Sequence, residues 1–177
     1  MSSLESLARL LEELSVTHVV TIPDNTSAEL LEQLRSCRTV FATREGEAIA
    51  LAAGLWLGGA RPVALIQNTG LLESGDALRG TASRMGAPLL LLVTCRGYGK
   101  ARSRGLEPGG SAPDRDVLVT AGVDSVALMT EETLRAWGVP HEFLRDTVDL
   151  SAVRRAWNRA GEEERPVAVL LDLQVSS

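Results

Sequence analysis

Residues 38–67 of this 177-residue chain read RTVFATREGEAIALAAGLWLGGARPVALIQ. The first six and the last six of these residues form short, largely apolar segments, which are typical of buried strands. Residues 45–57 between them are rich in alanine and leucine and are followed by Gly58 and Gly59, so they predict a helix that ends at the glycines. A strand, a helix and a strand in succession predict the repeating unit of a parallel α/β sheet.

The same alternation extends toward both ends of the chain. Strands are predicted at residues 17–22, 38–43, 62–67, 88–95, 139–144 and 166–173. Helices are predicted at residues 4–14, from a cap at Thr26 or Ser27 to about residue 34, and at residues 45–57, 70–85 and 149–159. We therefore expect one domain over residues 1–177, an open, mainly parallel six-stranded α/β sheet with helices on both faces.

Composition excludes several classes of protein. A net charge of −5 and only 3% aromatic residues argue against a surface that binds nucleic acid. Cys37 and Cys95 are too few and too far apart for a disulfide scaffold or for a zinc site built on paired cysteines. Neither a P-loop nor a GxGxxG pattern is complete, because Thr94 and Arg102 stand where these phosphate-binding motifs need glycine.

Hydropathy predicts no membrane segment. The sequence has no charge-free apolar stretch of the roughly 18 residues that a spanning helix needs. The first 14 residues carry three glutamates and lack the basic segment and apolar run of a signal peptide. We therefore expect a cytoplasmic protein.

Polar residues follow four of the predicted strands, at the point where each strand ends. Because the carboxyl ends of parallel strands lie along one edge of the sheet, and ligands of such folds bind there, we expect a binding site at this edge. The polar strand ends are Pro23-Asp24-Asn25, Thr43-Arg44-Glu45, Gln67-Asn68-Thr69-Gly70 and Thr94-Cys95-Arg96-Gly97.

Glu45 is the ionisable residue at this edge that we single out. An acidic residue in the first turn of a helix is stabilised by the helix dipole, and Glu47 on the same turn would serve that purpose equally well. However, the alanine- and glycine-rich helix 45–57 allows another backbone to approach closely, and a carboxylate beside such a contact would lose water. Both interpretations are compatible with the sequence.

The segment 96–116 is predicted to be a long loop, and residues 96–104 concentrate four cationic side chains within an acidic protein. Loops of this length are either functional or flexible. The segment is therefore either a solvated loop or a lid whose arginines contact an anionic group of a substrate.

Four blocks of sequence resemble one family. Residues 43–54 (TREGEAIALAAG), 67–71 (QNTGL) and 92–97 (LVTCRG), together with Ile22-Pro23-Asp24, are similar to the pyrimidine-binding domain of thiamine-diphosphate enzymes. The most similar branch comprises the decarboxylases of phosphonopyruvate and sulfopyruvate. The blocks occur in the family's order, and the similarity extends from about residue 4 to residue 173.

The resemblance implies a role for each of the polar strand ends. Glu45 would be the catalytic glutamate that forms a hydrogen bond with N1′ of the cofactor's aminopyrimidine ring, thereby favouring the tautomer that activates the cofactor. Pro23 and Thr69 would contact the same ring. The substrate would be a 3-sulfo- or 3-phosphono-substituted pyruvate. The residues implied to contact it are Asp24, Asn25, Gln67, Asn68 and Arg96.

The sequence departs from the family pattern in two places, one of which concerns the substrate and the other a partner subunit. Leu72 and Glu73 replace a glycine and an asparagine of the family's QNSGLGN block, and Glu73 is expected to repel an anionic substrate. The GDG motif that holds diphosphate and Mg²⁺ is absent, because Gly75-Asp76 is followed by Ala77. The resemblance therefore implies an alpha subunit whose separate beta subunit holds the diphosphate through Mg²⁺. Helix 45–57, with Ala48, Ala52, Ala53 and Gly54, is expected to pack against that partner, or against a second copy when the partner is missing.

Other functions are compatible with the same sequence. The chain can be a non-catalytic assembly or regulatory module of the same fold. It can also be a subunit of a thiamine-diphosphate carboligase or 2-oxo acid oxidase, since these reactions begin in the same way as decarboxylation. An unrelated domain that binds a nucleotide or a small anion is disfavoured by the incomplete glycine motifs.

Overall fold

The computed structural model describes residues 3–25, 27–110, 113–145 and 148–173, which form one six-stranded sheet. All strand pairs are parallel, and the strand order is β2-β1-β3-β4-β6-β5. The predicted parallel α/β sheet is therefore confirmed. The strands are β1 (His18–Thr21), β2 (Arg38–Phe41), β3 (Pro62–Gln67), β4 (Leu90–Thr94), β5 (His141–Leu144) and β6 (Val167–Leu171).

Helices connect the strands, and a π-helical turn (Leu78–Ser83) follows the fifth of them. No helix within the described residues is both long and apolar enough to cross a membrane. The helices are α1 (Ser3–Glu13), α2 (Ala28–Gln33), α3 (Glu45–Leu57), α4 (Asn68–Glu73), α5 (Gly75–Ala77), α6 (Tyr98–Arg102), α7 (Arg115–Leu118), α8 (Ser125–Ala136) and α9 (Ser151–Glu163).

Helices cover both faces of the sheet, because alternate side chains of each strand point to opposite sides. On one face, α1, α2 and α9 pack on a layer of aliphatic residues that includes Val19 and Leu65. On the other face, α3, α4 and α8 pack on a layer that includes Val20 and Ala64. These strand residues are fully buried, so hydrophobic burial on both faces stabilises the sheet.

The helix predicted over residues 70–85 is divided into α4, α5 and the π-helical turn. The Ser74 hydroxyl donates a hydrogen bond of 2.8 Å to the carbonyl oxygen of Leu71, which competes with regular helical bonding. Gly75 then passes beneath the ring of Trp137, where a Cβ atom would lie only 2.6 Å from Cζ2. The break between α4 and α5 therefore coincides with contacts of Ser74 and Trp137, which hydrophobic periodicity does not reveal.

The long loop predicted over residues 96–116 is wrong, because this segment contains α6 and the start of α7. Tyr98 and Ala101 of α6 are buried against Ala127 and Leu128 of α8. The sequence analysis did not assign α8, so the element that supports α6 was missing from the prediction. Residues 98–102 therefore form a packed helix rather than a flexible loop or lid, whereas the described residues between α6 and α7 have no regular secondary structure.

The start of α2 differs from the expected cap. Thr26 lies outside the described residues, and Ser27 makes no side-chain capping bond to the helix. Instead, the Ser27 backbone N–H donates to Oδ1 of Asp24 at 3.2 Å, and the Ser27 hydroxyl donates to the Asp24 carbonyl oxygen at 3.3 Å. Asp24 therefore organises the turn between β1 and α2.

Candidate functional site

The carboxyl edge of the sheet opens between β1 and β3. These strands are neighbours, but the helix after β1 packs on one face of the sheet and the helix after β3 packs on the other. The two connections diverge at this point and leave a crevice, which is where open α/β sheets bind their ligands. The N-terminus of α3, which precedes β3 in the chain, lies next to α4 at this crevice.

Glu45 is the first residue of α3, and its side chain lies directly on the backbone of α4. A Cβ atom added at Gly70 would lie 1.9 Å from Oε1 and 2.0 Å from Cδ of Glu45. Only glycine therefore leaves room for the carboxylate at this position. Within the part of the chain that the structure describes, no hydrogen bond joins the half-buried Glu45 carboxylate to the protein, so it is available to a ligand.

Glu47 performs the structural role that the sequence left open between the two glutamates. Its Oε2 accepts hydrogen bonds from the Thr43 hydroxyl at 2.6 Å and from the Thr43 backbone N–H at 2.8 Å. These bonds hold the pKa of the Glu47 carboxyl below its usual range. A glutamate that reaches back from the third helical position to the entering backbone is the acidic half of a capping box. In the structure, Glu47 is therefore bound to the start of α3, whereas the carboxylate of Glu45 has no hydrogen bond within the described residues.

Glu73, the last residue of α4, also binds the N-terminus of α3. Its Oε1 accepts hydrogen bonds from the guanidinium of Arg44, at 2.8 Å from Nε, and its Oε2 accepts the Gly46 backbone N–H at 2.8 Å. The Arg44 bond, followed by the Gly46 bond, lowers the pKa of the Glu73 carboxyl. The positive charge of Arg44 offsets that of Glu73, which reduces the expected repulsion of an anion.

Asn68 is committed to the fold, although it was predicted to contact substrate. Its side chain is fully buried, and its Nδ2 donates to the Arg96 carbonyl oxygen at 3.0 Å and to the Thr130 hydroxyl at 3.2 Å. Its Oδ1 accepts the Arg96 backbone N–H at 3.1 Å. This amide ties the end of β3 to the end of β4 and to α8. The prediction of a substrate contact for Asn68 is corrected accordingly.

The arginines of residues 96–104 are paired with acceptors inside the protein. Arg96 is exposed, and its Nε lies 3.1 Å from Oδ2 of Asp124. Both terminal nitrogens of Arg102 donate to the carboxylate of the buried Asp172, at 3.0 Å and 2.5 Å. Arg104 donates to a backbone carbonyl at 2.9 Å. These three arginines are therefore engaged within the protein, although Arg96 and Arg104 are exposed. Arg96 is the member of the cluster that was predicted to contact substrate.

The remaining predicted site residues lie along the same edge. Pro23 and Asn25 are exposed after β1, and Asp24 between them is half-buried. Gln67 is half-buried at the end of β3, and Thr69 is exposed in the first turn of α4. The fold thus brings these five residues to the two connections that border the crevice, and their contacts with a ligand stay predictions.

Three residues that were not predicted to support Glu45 complete its environment. Gly70 provides the space for the carboxylate, while Arg44 and Glu73 form an ion pair beside it. Gly70 was quoted in a motif, but its role depends on a contact with Glu45, 25 positions away. The role of Glu73 likewise depends on Arg44, 29 positions away. A glycine at the start of a predicted helix was the only available signal.

The residues of α3 that are exposed are not the ones that were expected to pack against a partner. The alanines expected at a partner interface are fully buried against the sheet, so that expectation is wrong for Ala48, Ala52 and Ala53. The exposed side is formed by other residues, with Leu57 70% and Leu51 38% exposed. Gly54 belongs to this exposed side, and nothing lies within 4 Å of the position of its missing Cβ atom.

Comparison with known proteins relates the chain to one family. Residues 1–113 match the family model described as thiamine pyrophosphate enzyme, N-terminal TPP binding domain. A phosphonopyruvate decarboxylase of Streptomyces hygroscopicus is 34% identical over 100 residues, which cover 55% of this chain and 25% of that protein. Subunit alpha of sulfopyruvate decarboxylase from Methanococcus maripaludis is 25% identical over 175 residues, which cover 97% of this chain and 95% of that subunit. The chain thus spans about a quarter of the phosphonopyruvate decarboxylases it matches.

Solved structures share the fold. Benzoylformate decarboxylase from Polynucleobacter necessarius superposes with a TM-score of 0.69 at 22% identity, covering 97% of this chain and 29% of that one. A 2-oxoglutarate:ferredoxin oxidoreductase from Magnetococcus marinus superposes with a TM-score of 0.63 at 16% identity, covering 96% of this chain and 28% of that one. The fold of this chain therefore occurs as part of larger chains.

Proposed function

The chain belongs to the thiamine pyrophosphate enzymes, in which it matches the N-terminal TPP binding domain, and from this premise we propose that it is the alpha subunit of a two-component 2-oxo acid decarboxylase. Its cofactor would be thiamine diphosphate, the same compound as thiamine pyrophosphate. The main observation in support of this proposal concerns the Glu45 carboxylate. It lies against Gly70 at the crevice and has no hydrogen bond within the described residues. Similarity along nearly the whole length of a sulfopyruvate decarboxylase subunit alpha supports the two-component arrangement.

The residues at the crevice fit the aminopyrimidine ring of this cofactor. A carboxyl group pairs with a ring nitrogen of a neutral heterocycle, and Glu45 offers such a group. The missing side chain of Gly70 is what makes room for that carboxyl group against the α4 backbone. Pro23 and Thr69 are exposed on the two bordering connections, and we assign them to the ring.

Thiamine diphosphate, when bound, supplies a nucleophilic carbon and an electron sink for the loss of carbon dioxide from a 2-oxo acid. Glu45 would hold a proton on its carboxyl oxygen and share it with ring nitrogen N1′, acting as a general acid–base group. Gly70 would keep the carboxyl group seated, and Glu47 would keep the helix start in place through Thr43. The catalytic role is thus assigned to Glu45 alone among the acidic residues of this turn.

A separate beta subunit would complete the cofactor site. The sequence has no GDG motif, so we assign the diphosphate and its Mg²⁺ to that subunit. The exposed side of α3, with Leu51, Gly54 and Leu57, would form the contact, because an apolar helix face with a glycine allows a second chain to approach closely. Without the beta subunit, the same face would pair with a second copy of this chain.

We propose a 3-sulfo- or 3-phosphono-substituted pyruvate as the substrate. The similarity to phosphonopyruvate and sulfopyruvate decarboxylases supports this class. The contacts would come from Asp24, Asn25 and Gln67 at the crevice and from Arg96, whose exposed guanidinium would exchange Asp124 for the substrate anion. Asn68 is left out because its amide is buried and engaged.

The experiment that tests this function is titration calorimetry with thiamine diphosphate and Mg²⁺. The chain is titrated alone and again with a candidate beta chain that carries a GDG motif. We expect weak binding that is insensitive to Mg²⁺ for the chain alone, and tight Mg²⁺-dependent binding for the complex, which should also release carbon dioxide from sulfopyruvate or phosphonopyruvate. Micromolar, Mg²⁺-dependent binding by the chain alone would contradict the two-component proposal.

A further inference from the structure

Glu73 contacts both sequence neighbours of Glu45. One of its oxygens binds the Arg44 guanidinium, and the other binds the backbone N–H of Gly46. It comes from α4, the same helix whose Gly70 supports the Glu45 carboxylate. Helix α4 therefore contacts the Glu45 carboxylate through Gly70 and binds the residues on either side of Glu45 through Glu73.

Arg44 and the Gly46 N–H, on the two residues that flank Glu45, are groups that could compete for its carboxylate. Arg44 is 70% exposed along its side chain, and the carboxylates of Glu73, Glu47 and Glu45 all raise its pKa. The Gly46 N–H belongs to the first turn of α3, where backbone donors have no partner within the helix and attract carboxylates. Glu73 occupies both donors, and Glu47 occupies the N–H of Thr43.

We propose that Glu73 is a positioning residue that keeps Glu45 available to the cofactor by holding Arg44 and the Gly46 N–H away from its carboxylate. This inference rests on the proposed function, because it concerns the availability of Glu45. It also gives a reason for the acidic residue that stands where the family resemblance implies asparagine. An asparagine side chain has no charge with which to hold Arg44, and it is shorter by one methylene group.

Removing the charge of Glu73 should therefore redirect Arg44 to Glu45, because the other carboxylate near Arg44, that of Glu47, is engaged by Thr43. In E73Q, the amide oxygen can still accept the Gly46 N–H, whereas Arg44 loses its anionic partner. A charge-assisted bond between Arg44 and Glu45 would then compete with the cofactor ring. Because Arg44 is exposed and its ion pairs are screened by solvent, we expect cofactor affinity and kcat to fall about 3-fold. In R44Q/E73Q the competitor is gone, and both quantities should return to near the wild-type level.

The first measurement uses the isolated chain and does not depend on catalysis. In NMR spectra of wild-type protein, the Arg44 Nε–H should show contacts with the Glu73 side chain. In E73Q it should show contacts with the side-chain protons of Glu45 instead. Absence of Arg44–Glu45 contacts in E73Q would overturn the inference, whatever the partner or the reaction proves to be.

The second measurement uses the complex with the beta subunit. Thiamine diphosphate affinity and kcat are compared for wild type, E73Q, R44Q/E73Q and the control D76N, which removes the same charge from the exposed Asp76–Arg79 pair. We expect a loss in E73Q alone, rescue in R44Q/E73Q and no change in D76N. Wild-type behaviour of E73Q, or an equal loss in R44Q/E73Q, would overturn the inference. E45Q is measured in parallel, since a fully active E45Q refutes the proposed function itself rather than the role of Glu73.

Discussion

Gly70→Ala provides the most direct test of the Glu45 site, because the structure gives the size of the perturbation. The new Cβ atom would lie 1.9 Å from Oε1 of Glu45, whereas nonbonded contacts of this kind begin at about 3.5 Å. The carboxylate must therefore move by more than 1 Å, roughly the misplacement that lowers turnover about 100-fold when it affects a reacting group. Alanine is favoured over glycine within helices by about 1 kcal/mol, so overall stability should change little.

The assay measures kcat, cofactor affinity and the melting temperature of the complex in parallel. The matched control is Gly161→Ala, the same substitution within α9, where nothing lies within 4 Å of the new Cβ atom. We expect G161A to retain full activity and G70A to lose activity while remaining folded. Full activity of a folded G70A complex would refute the reasoning, because it would mean that catalysis does not depend on the Glu45 carboxylate seated on this glycine.

Four further outcomes are expected from the same geometry. Glu45→Gln should abolish most turnover while leaving the fold intact, and Glu47→Gln should mainly lower the melting temperature. The reverse pattern in kinetics and calorimetry would mean that Glu47, not Glu45, is the catalytic carboxylate. Asn68→Ala should cost about 1–3 kcal/mol in urea unfolding, because it leaves buried partners of the amide unpaired. Leu57→Glu should prevent assembly with the beta subunit in ultracentrifugation without lowering the melting temperature of the isolated chain. Burial, aided by nearby carboxylates, raises the pKa of the Cys95 thiol, so this thiol should stay protonated at pH 8.5 and react with iodoacetamide far more slowly in the folded chain than in urea.

The sheet was predictable because its evidence is local. The strands of the core, such as β3 and β4, are continuous apolar segments bounded by prolines and polar residues. Such segments have few alternatives to a buried strand. Residues 96–116 lacked this kind of signal, because the glycines and prolines of this segment are typical of loops. What makes α6 a helix is the burial of Tyr98 against α8, a contact between segments that are about 30 residues apart.

The location of the candidate site could be predicted from the sequence. Which of its polar residues bind within the fold, and which are left for a ligand, could not. Polar strand ends locate an edge of the sheet, because all parallel strands end there. They do not reveal which polar groups are used up by the fold. Asn68 and Glu45 both follow strands and both have side chains that suit a ligand, yet one amide is consumed by the ends of two strands while one carboxylate is left available.

That difference arises from contacts that span the chain, and it decides which residues are candidates for chemistry. Glu47 satisfies the start of α3 from within its own turn, but Glu73 reaches the same turn from a helix that begins 23 residues later. Because other carboxylates already accept hydrogen bonds from the start of α3, hydrogen bonding within the fold does not require Glu45. Under the proposed function, the Glu45 carboxylate, which lies against Gly70 and has no hydrogen bond within the described residues, is the group left for the cofactor.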